Sequence, residues 1–174
     1  MEESLALIDA IIEEHKQIRE DIEASEYIAD DLGAVSELGR AAGGFEPATL
    51  DRKKHSVQGL QQSLEKVDKE LKAHFEREEG ALLAVFEDYG GRTFASALRA
   101  LLGEHQELND RIAKSKQDVA ELAVGELSRE VWEGKAYGMR TYISHTRKLL
   151  EAHAQSEVEL LQTLREELVK RKGA

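Results

Sequence analysis

Apolar residues recur at three- and four-residue steps through four long stretches of the chain, and breaks rich in glycine separate them; this period marks amphipathic helices. In the first stretch Leu5, Ile8, Ile12, Ile18 and Ile22 mark one face from about Glu3 to Asp30. Pro47 and Thr49 are helix-opening signals for the second. Its stripe runs Leu60, Leu64, Val67, Leu71, Leu82 and Val85, and it stops at Tyr89-Gly90-Gly91. The third begins after Thr93, a candidate N-cap, and carries Leu98, Leu101, Leu102, Leu108, Ile112, Val119 and Leu122 before Gly125. The fourth opens near Ser128 and continues through Trp132, Met139, Tyr142, Ile143, Leu149, Leu150, Leu160, Leu164 and Leu168. Two of the three connections are short, which favours antiparallel neighbours. The pattern therefore predicts an all-α chain, an up-down-up-down antiparallel four-helix bundle forming one domain over residues 1–174. The longer connection, Asp31 to Glu46, reads either as holding a short helix around Ala34 to Arg40 or as a mobile cover.

Six polar residues interrupt these stripes. Each helix places one histidine on its apolar face: His15, His74, His105 and His153. Two of them are followed four residues later by a glutamate, giving His74 with Glu78 and His153 with Glu157. Residues four apart on a helix share a face at roughly 5 to 6 Å, so each pair points inward together. In an antiparallel hairpin two residues are level when their sequence midpoint falls at the turn. The midpoint of His15 and His74 is 44.5, at Gly43-Gly44-Phe45; that of His74 and His105 is 89.5, at the Gly90 turn; that of His105 and His153 is 129, just after Gly125. The four imidazoles are thus expected in one layer. A lone histidine on an apolar face is more often a hydrogen-bonded core residue than a ligand. Four level ones with two carboxylates would leave six polar groups to satisfy one another in a dry core, and a pair of metal ions resolves that.

Composition narrows the chemistry. The 174 residues suit one domain with a substantial core. With 24 Lys and Arg against 35 Asp and Glu, the net charge of -11 repels phosphate backbones and argues against nucleic acid as a partner. Cysteine is absent, which removes disulfides, thiolate metal sites and cysteine nucleophiles together. An imidazole and carboxylate set without sulfur favours iron, with manganese and zinc as alternatives. The amino terminus, MEESLALIDA, is acidic where a secretory signal is basic, and no apolar run approaches the roughly 18 to 20 residues of a membrane span. The expectation is a soluble cytoplasmic protein.

At these positions the chain resembles the hemerythrin-like (HHE cation-binding) family, whose signature is a histidine on the first helix, H-x-x-x-E on the second, a histidine motif on the third and a histidine plus carboxylate on the fourth. His15, H74-F-E-R-E78, H105-Q-E-L-N109 and H153-A-Q-S-E157 match in order and span nearly the whole chain. The resemblance implies a hemerythrin-like bundle with two iron ions, oxo- or hydroxo-bridged. His15 and His74 would serve one iron, His105 and His153 the other, with Glu78 and Glu157 bridging. Oxygen-carrying members have a second histidine on the third helix where Asn109 stands, and an aspartate five after the fourth-helix histidine instead of Glu157. Four histidines and two glutamates look more like the iron-centre-repair and nitric-oxide-responding branch.

Ile11, Ile12, Ile18, Leu71, Leu101, Leu102, Leu108, Leu149 and Leu150 flank the six residues, and Tyr142 lies on the fourth stripe. As hydrocarbon walls they would admit small neutral molecules and exclude ions; as ordinary core they need no further role. His55 and His145 fall beside their stripes and read as surface groups or groups behind the ligands. Glu76 and Glu79 read as solvated, and Asn109 either hydrogen-bonds a metal-bound ligand or fills the vacated position. The first functional reading is a di-iron protein that binds or reduces dioxygen, peroxide or nitric oxide, with an oxidoreductase role in oxidative or nitrosative stress as its enzymatic form. The alternatives are iron storage or delivery, reversible oxygen binding or sensing, and thirdly a metal-free helical interaction module.

Overall fold

The computed structural model describes the backbone of residues 1–41, 47–124 and 127–173, and side chains within 1–34, 53–124 and 127–172. All its regular elements are helical. They are α1 (Glu2–Ala41), α2 (Pro47–Arg77), a π-helical turn (Glu78–Leu82), the single turn α3 (Leu83–Val85), a second π-helical turn (Phe86–Gly90), α4 (Gly91–Leu102), α5 (His105–Ala123) and α6 (Arg129–Gly173). α1 packs on α2 and α6, and α5 closes the ring against the same two helices. Neighbours run antiparallel. Between α1 and α2, Asp21 meets Lys66 at 2.7 Å and Glu14 meets His74 at 2.8 Å; between α1 and α6, Asp9 meets Arg165 and Glu26 meets Arg147. This is the expected up-down-up-down bundle. None of the described helices is long and apolar enough to cross a membrane.

Buried positions on α1 alternate by four and three, through Ser4, Ile8, Ile11, His15, Ile18, Ile22, Ser25, Ala29 and Leu32. That is the spacing of helices packed side by side at a shallow angle. Ile11 takes the inward position expected of Ile12, which is only half-buried. Interior hydroxyls are satisfied within their own helices: Ser25, Ser115 and Thr146 donate to the carbonyls of Asp21, Arg111 and Tyr142 at 2.9 to 3.0 Å.

Three helix limits differ from expectation. α1 does not stop near Asp30 but runs unbroken to Ala41, taking in the Ala34 to Arg40 stretch read as a separate short helix or part of a cover. The Gly43-Gly44-Phe45 turn and Gly125 lie outside the described residues. The third helix starts at Gly91, without a side-chain cap from Thr93, and breaks at Gly103-Glu104. There the amide N–H groups of Gly103 and Glu104 close on the Arg99 and Leu101 carbonyls, and α5 begins afresh. Gly91 takes φ +69°, a left-handed conformation that glycine adopts without penalty. Ser128 does cap α6: its hydroxyl accepts the Val131 N–H at 3.4 Å.

The core falls into two apolar clusters. One is built on Ile18, Leu64, Leu71, Phe75, Ile112 and Ile143, the other on Ile8, Ile11, Leu82, Phe86, Leu98 and Leu161. Fully burying such side chains stabilises by roughly 1.5–3 kcal/mol each. The two clusters are separated along every helix by the polar layer.

Candidate metal centre

His15, His74, Glu78, His105, His153 and Glu157 are all buried, none more than 7% exposed. They form two sets of donors that share both carboxylates: His15, His74, Glu78 and Glu157, and Glu78, His105, His153 and Glu157. Within each set the donor atoms lie within 4.8 Å of one another. Glu78 stands where α2 opens into the first π turn, with the Leu83 N–H reaching the Glu78 carbonyl five residues back. Its Oε1 lies 2.7 Å from His74 Nε2 and 3.4 Å from His15 Nε2, while Oε2 lies 3.2 Å from His105 Nε2. Glu157 Oε2 lies 3.3 Å from His15 Nε2 and 3.4 Å from His153 Nε2. Each carboxylate therefore faces both halves of the site. The two imidazole pairs also resemble each other: His15 and His74 meet edge to face at 4.5 Å and 76°, His105 and His153 at 5.1 Å and 71°.

The inward atoms are electrostatically incomplete. Nε2 of all four histidines and both oxygens of Glu78 and Glu157 are buried without a hydrogen-bond partner, and the 2.7 Å approach of His74 to Glu78 is not aligned as one. Each such group costs about 1–3 kcal/mol if left unsatisfied. The donors demand positive charge between them. Without metal, protons supply it: burial opposes charge on His15, but Glu157 and Glu78 outweigh it and push its pKa up to about 9. The same contest raises His153, where Glu157 and Glu104 overcome burial. Glu78 is buried too, yet His105, His15 and His74 hold its carboxyl far below the usual range. Nitrogen and oxygen donors converging in this way fit divalent or trivalent cations with imidazole and carboxylate preferences.

Behind the inward nitrogens stand carboxylates that the sequence pattern did not reveal. Glu14 accepts from His74 Nδ1 at 2.8 Å, Glu79 from His105 Nδ1 at 2.8 Å and Glu104 from His153 Nδ1 at 2.9 Å. Such contacts fix the tautomer that offers Nε2 to a metal and raise its basicity. Glu79 is exposed, as expected, but not merely solvated. The missed signal is an acidic residue beside an inward one, as in Glu14-His15, Glu104-His105 and Glu78-Glu79. Phe75 was also missed: its ring stacks on His105 at 3.6 Å and 6°.

A cavity of about 20 Å³ adjoins the layer, lined by His15, Ile18, Leu71, Phe75, Leu150 and Ala154 among others. It is large enough for one water-sized molecule. Ile18, Leu71 and Leu150 thus form hydrocarbon walls as expected. Tyr142 is not part of this cavity's lining; its half-buried ring lies under Arg111 and Lys114 at 5.0 and 5.6 Å. His55 and His145 are exposed. The buried Oδ1 of Asn109 has no hydrogen-bond partner.

The fold and the layer define a helical-bundle protein with two buried groups of His and Glu donors that share two carboxylates and could hold metal. The sequence matches the hemerythrin HHE cation binding domain over residues 6–164, and the chain belongs to that family. Searches of curated proteins and of solved structures returned no match.

Proposed function

We propose that the chain, a single domain over residues 1–174 working in the cytoplasm, is a non-haem di-iron protein that binds or reduces dioxygen, peroxide or nitric oxide. The observation that carries this reading is the pair of buried donor sets sharing Glu78 and Glu157, with every inward atom unsatisfied. His15 and His74 would hold one iron and His105 and His153 the other, with Glu78 and Glu157 as bridges. Bound irons would supply open coordination positions and one-electron redox chemistry. The protein's own part is to orient the imidazoles through Glu14, Glu79 and Glu104, and to keep bulk water out with the two apolar clusters. The cavity beside His15 and His74 is sized for a very small molecule and walled mainly by hydrocarbon, which selects against hydrated ions.

Metal analysis of protein purified from its own host tests the centre: two irons per chain and the near-ultraviolet absorption of a bridged ferric pair are expected. Fewer than one ion per chain in freshly isolated protein would refute it. Stopped-flow mixing with peroxide or nitric oxide tests the activity. Consumption over many turnovers supports reduction, whereas stoichiometric binding without consumption leaves a carrier or sensor.

A further inference from the structure

The two halves of the polar layer are related by an approximate two-fold repeat within the chain. Adding 90 residues carries Glu14 and His15 onto Glu104 and His105; adding 79 carries His74 and Glu78 onto His153 and Glu157. The contacts obey this relation. Glu14 binds His74 just as Glu104 binds His153, and the two imidazole pairs share one edge-to-face geometry.

Among the positions where the repeat fails, three bear on how the imidazoles are held, and all three disfavour the same half. Glu79, which anchors His105 Nδ1, corresponds to Val158. His15, the counterpart of His105, is 7% exposed, yet its Nδ1 is buried with no hydrogen-bond partner. Phe75, which stacks on His105, corresponds to Ala154, and Ala154 lines the cavity beside His15. Arg77, which shares Glu14 with His74 at 2.9 Å and draws off part of its charge, corresponds to Ser156. The half built on His105 and His153 therefore has two anchoring carboxylates and an aromatic brace. The half built on His15 and His74 has one carboxylate, already shared with an arginine, and a His15 ring whose Nδ1 has no partner and whose counterpart to Phe75 is an alanine; the cavity borders His153 as well as His15 and His74 and does not itself separate the halves.

Resting on the metal-centre reading above, we infer that the two metal positions are unequal: the His105–His153 position fills first and tightly, the His15–His74 position last and exchangeably. Glu79 and Phe75 are the positioning residues that set the difference, and Val158 and Ala154 are the substitutions that withhold it. An anchoring carboxylate raises imidazole basicity and removes ring rotations that metal binding must otherwise freeze. Loss of such a partner costs about 10–100-fold in metal affinity. Glu79 is 55% exposed, so the lower end, about tenfold, applies.

The test is an anaerobic titration of metal-free full chain with Fe²⁺ against a competing chelator at fixed pH. Wild type is expected to bind two ions in steps at least tenfold apart. Glu79→Val is expected to weaken only the tight step, by about tenfold, and Val158→Glu to tighten only the weak one by a similar factor. Both side chains are exposed or half-buried, so the fold tolerates either change, and Gln155→Glu, an added charge on the exposed face of α6, is expected to leave both steps in place. Two equal steps in wild type would overturn the inference while leaving the metal centre intact, as would a Val158→Glu effect reproduced by Gln155→Glu. Absence of any stoichiometric binding would instead refute the metal-centre reading on which it rests.

Discussion

Replacing Glu78 by glutamine in the metal-free protein exchanges a buried charge for an amide of the same shape, and the consequence should depend on pH. Glu157 and Glu78 together raise His15 from 6.5 to about 9, and both lie at 3.3 to 3.4 Å from its Nε2. Burial opposes this, so at about 1.36 kcal/mol per pH unit the two carboxylates leave the folded imidazolium a net stabilisation of ~3 kcal/mol, of which Glu78 carries about half. A folded pKa above the unfolded one means that this stability is fully present below pH 6.5 and is lost as pH rises through about 9. Above that, wild type keeps a buried carboxylate facing neutral imidazoles, and the amide becomes the better neighbour. For a chain of this length ~1 kcal/mol moves Tm by roughly 2–4 °C. Chelator-treated Glu78→Gln should therefore melt about 3–6 °C below wild type at pH 6, with the gap closing or reversing by about pH 9.5. Circular dichroism melts at the two pH values decide it. An equal gap at both would show that Glu78 acts by packing alone and would refute the electrostatic account.

Because a metal must displace the proton that His15 carries at neutral pH, cation binding should release protons and tighten as pH rises towards about 9. Titration calorimetry in buffers of different ionisation enthalpy reads the release directly, and none at pH 7 would contradict it. Glu157→Ala should lower iron from two ions per chain to one or none by mass spectrometric metal analysis, and reduce the Tm of the loaded protein. Unchanged stoichiometry would remove Glu157 from the ligand set. Phe75→Ala deletes a ring that is 3% exposed and should cost about 3–5 kcal/mol in urea denaturation of the metal-free protein.

What was legible in the sequence was whatever depends on spacing along a helix and on the position of turns. The level of His15, His74, His105 and His153 needed only sequence separation and glycine positions, because antiparallel helices of equal rise must bring symmetric positions together. Glu78 and Glu157 followed from sharing a face with their histidines. The anchoring carboxylates were not legible for a physical reason: Glu14, Glu79 and Glu104 look like solvent positions on their own helices, and their partners belong to neighbouring ones. The break at Gly103-Glu104 was hidden inside an otherwise periodic stripe. It nonetheless puts Glu104 at the mouth of α5, where a carboxylate suits the helix dipole and reaches His153.

A histidine and a glutamate four apart on an inward face impose a cost on the helix that carries them, and on α2 the structure shows how it is met. Burial on α1 alternates by three and four, which keeps side chains on one line. On α2 and its extension the inward residues His74, Glu78, Leu82 and Phe86 advance by four each time, and on α6 His153, Glu157 and Leu161 do the same. In a regular helix each step of four overshoots a full turn by about 40°, so repeated fours carry the stripe off the core. Ala81, where a step of three would have landed, is exposed. The first π turn begins at Glu78 and takes in the extra residue, so Leu82 and Phe86 still reach the second apolar cluster. The π turn at Glu78 thus lets α2 keep His74 and Glu78 four apart and still hold an apolar stripe in the bundle, whereas α6, regular throughout, returns to its stripe by a step of three from Leu161 to Leu164.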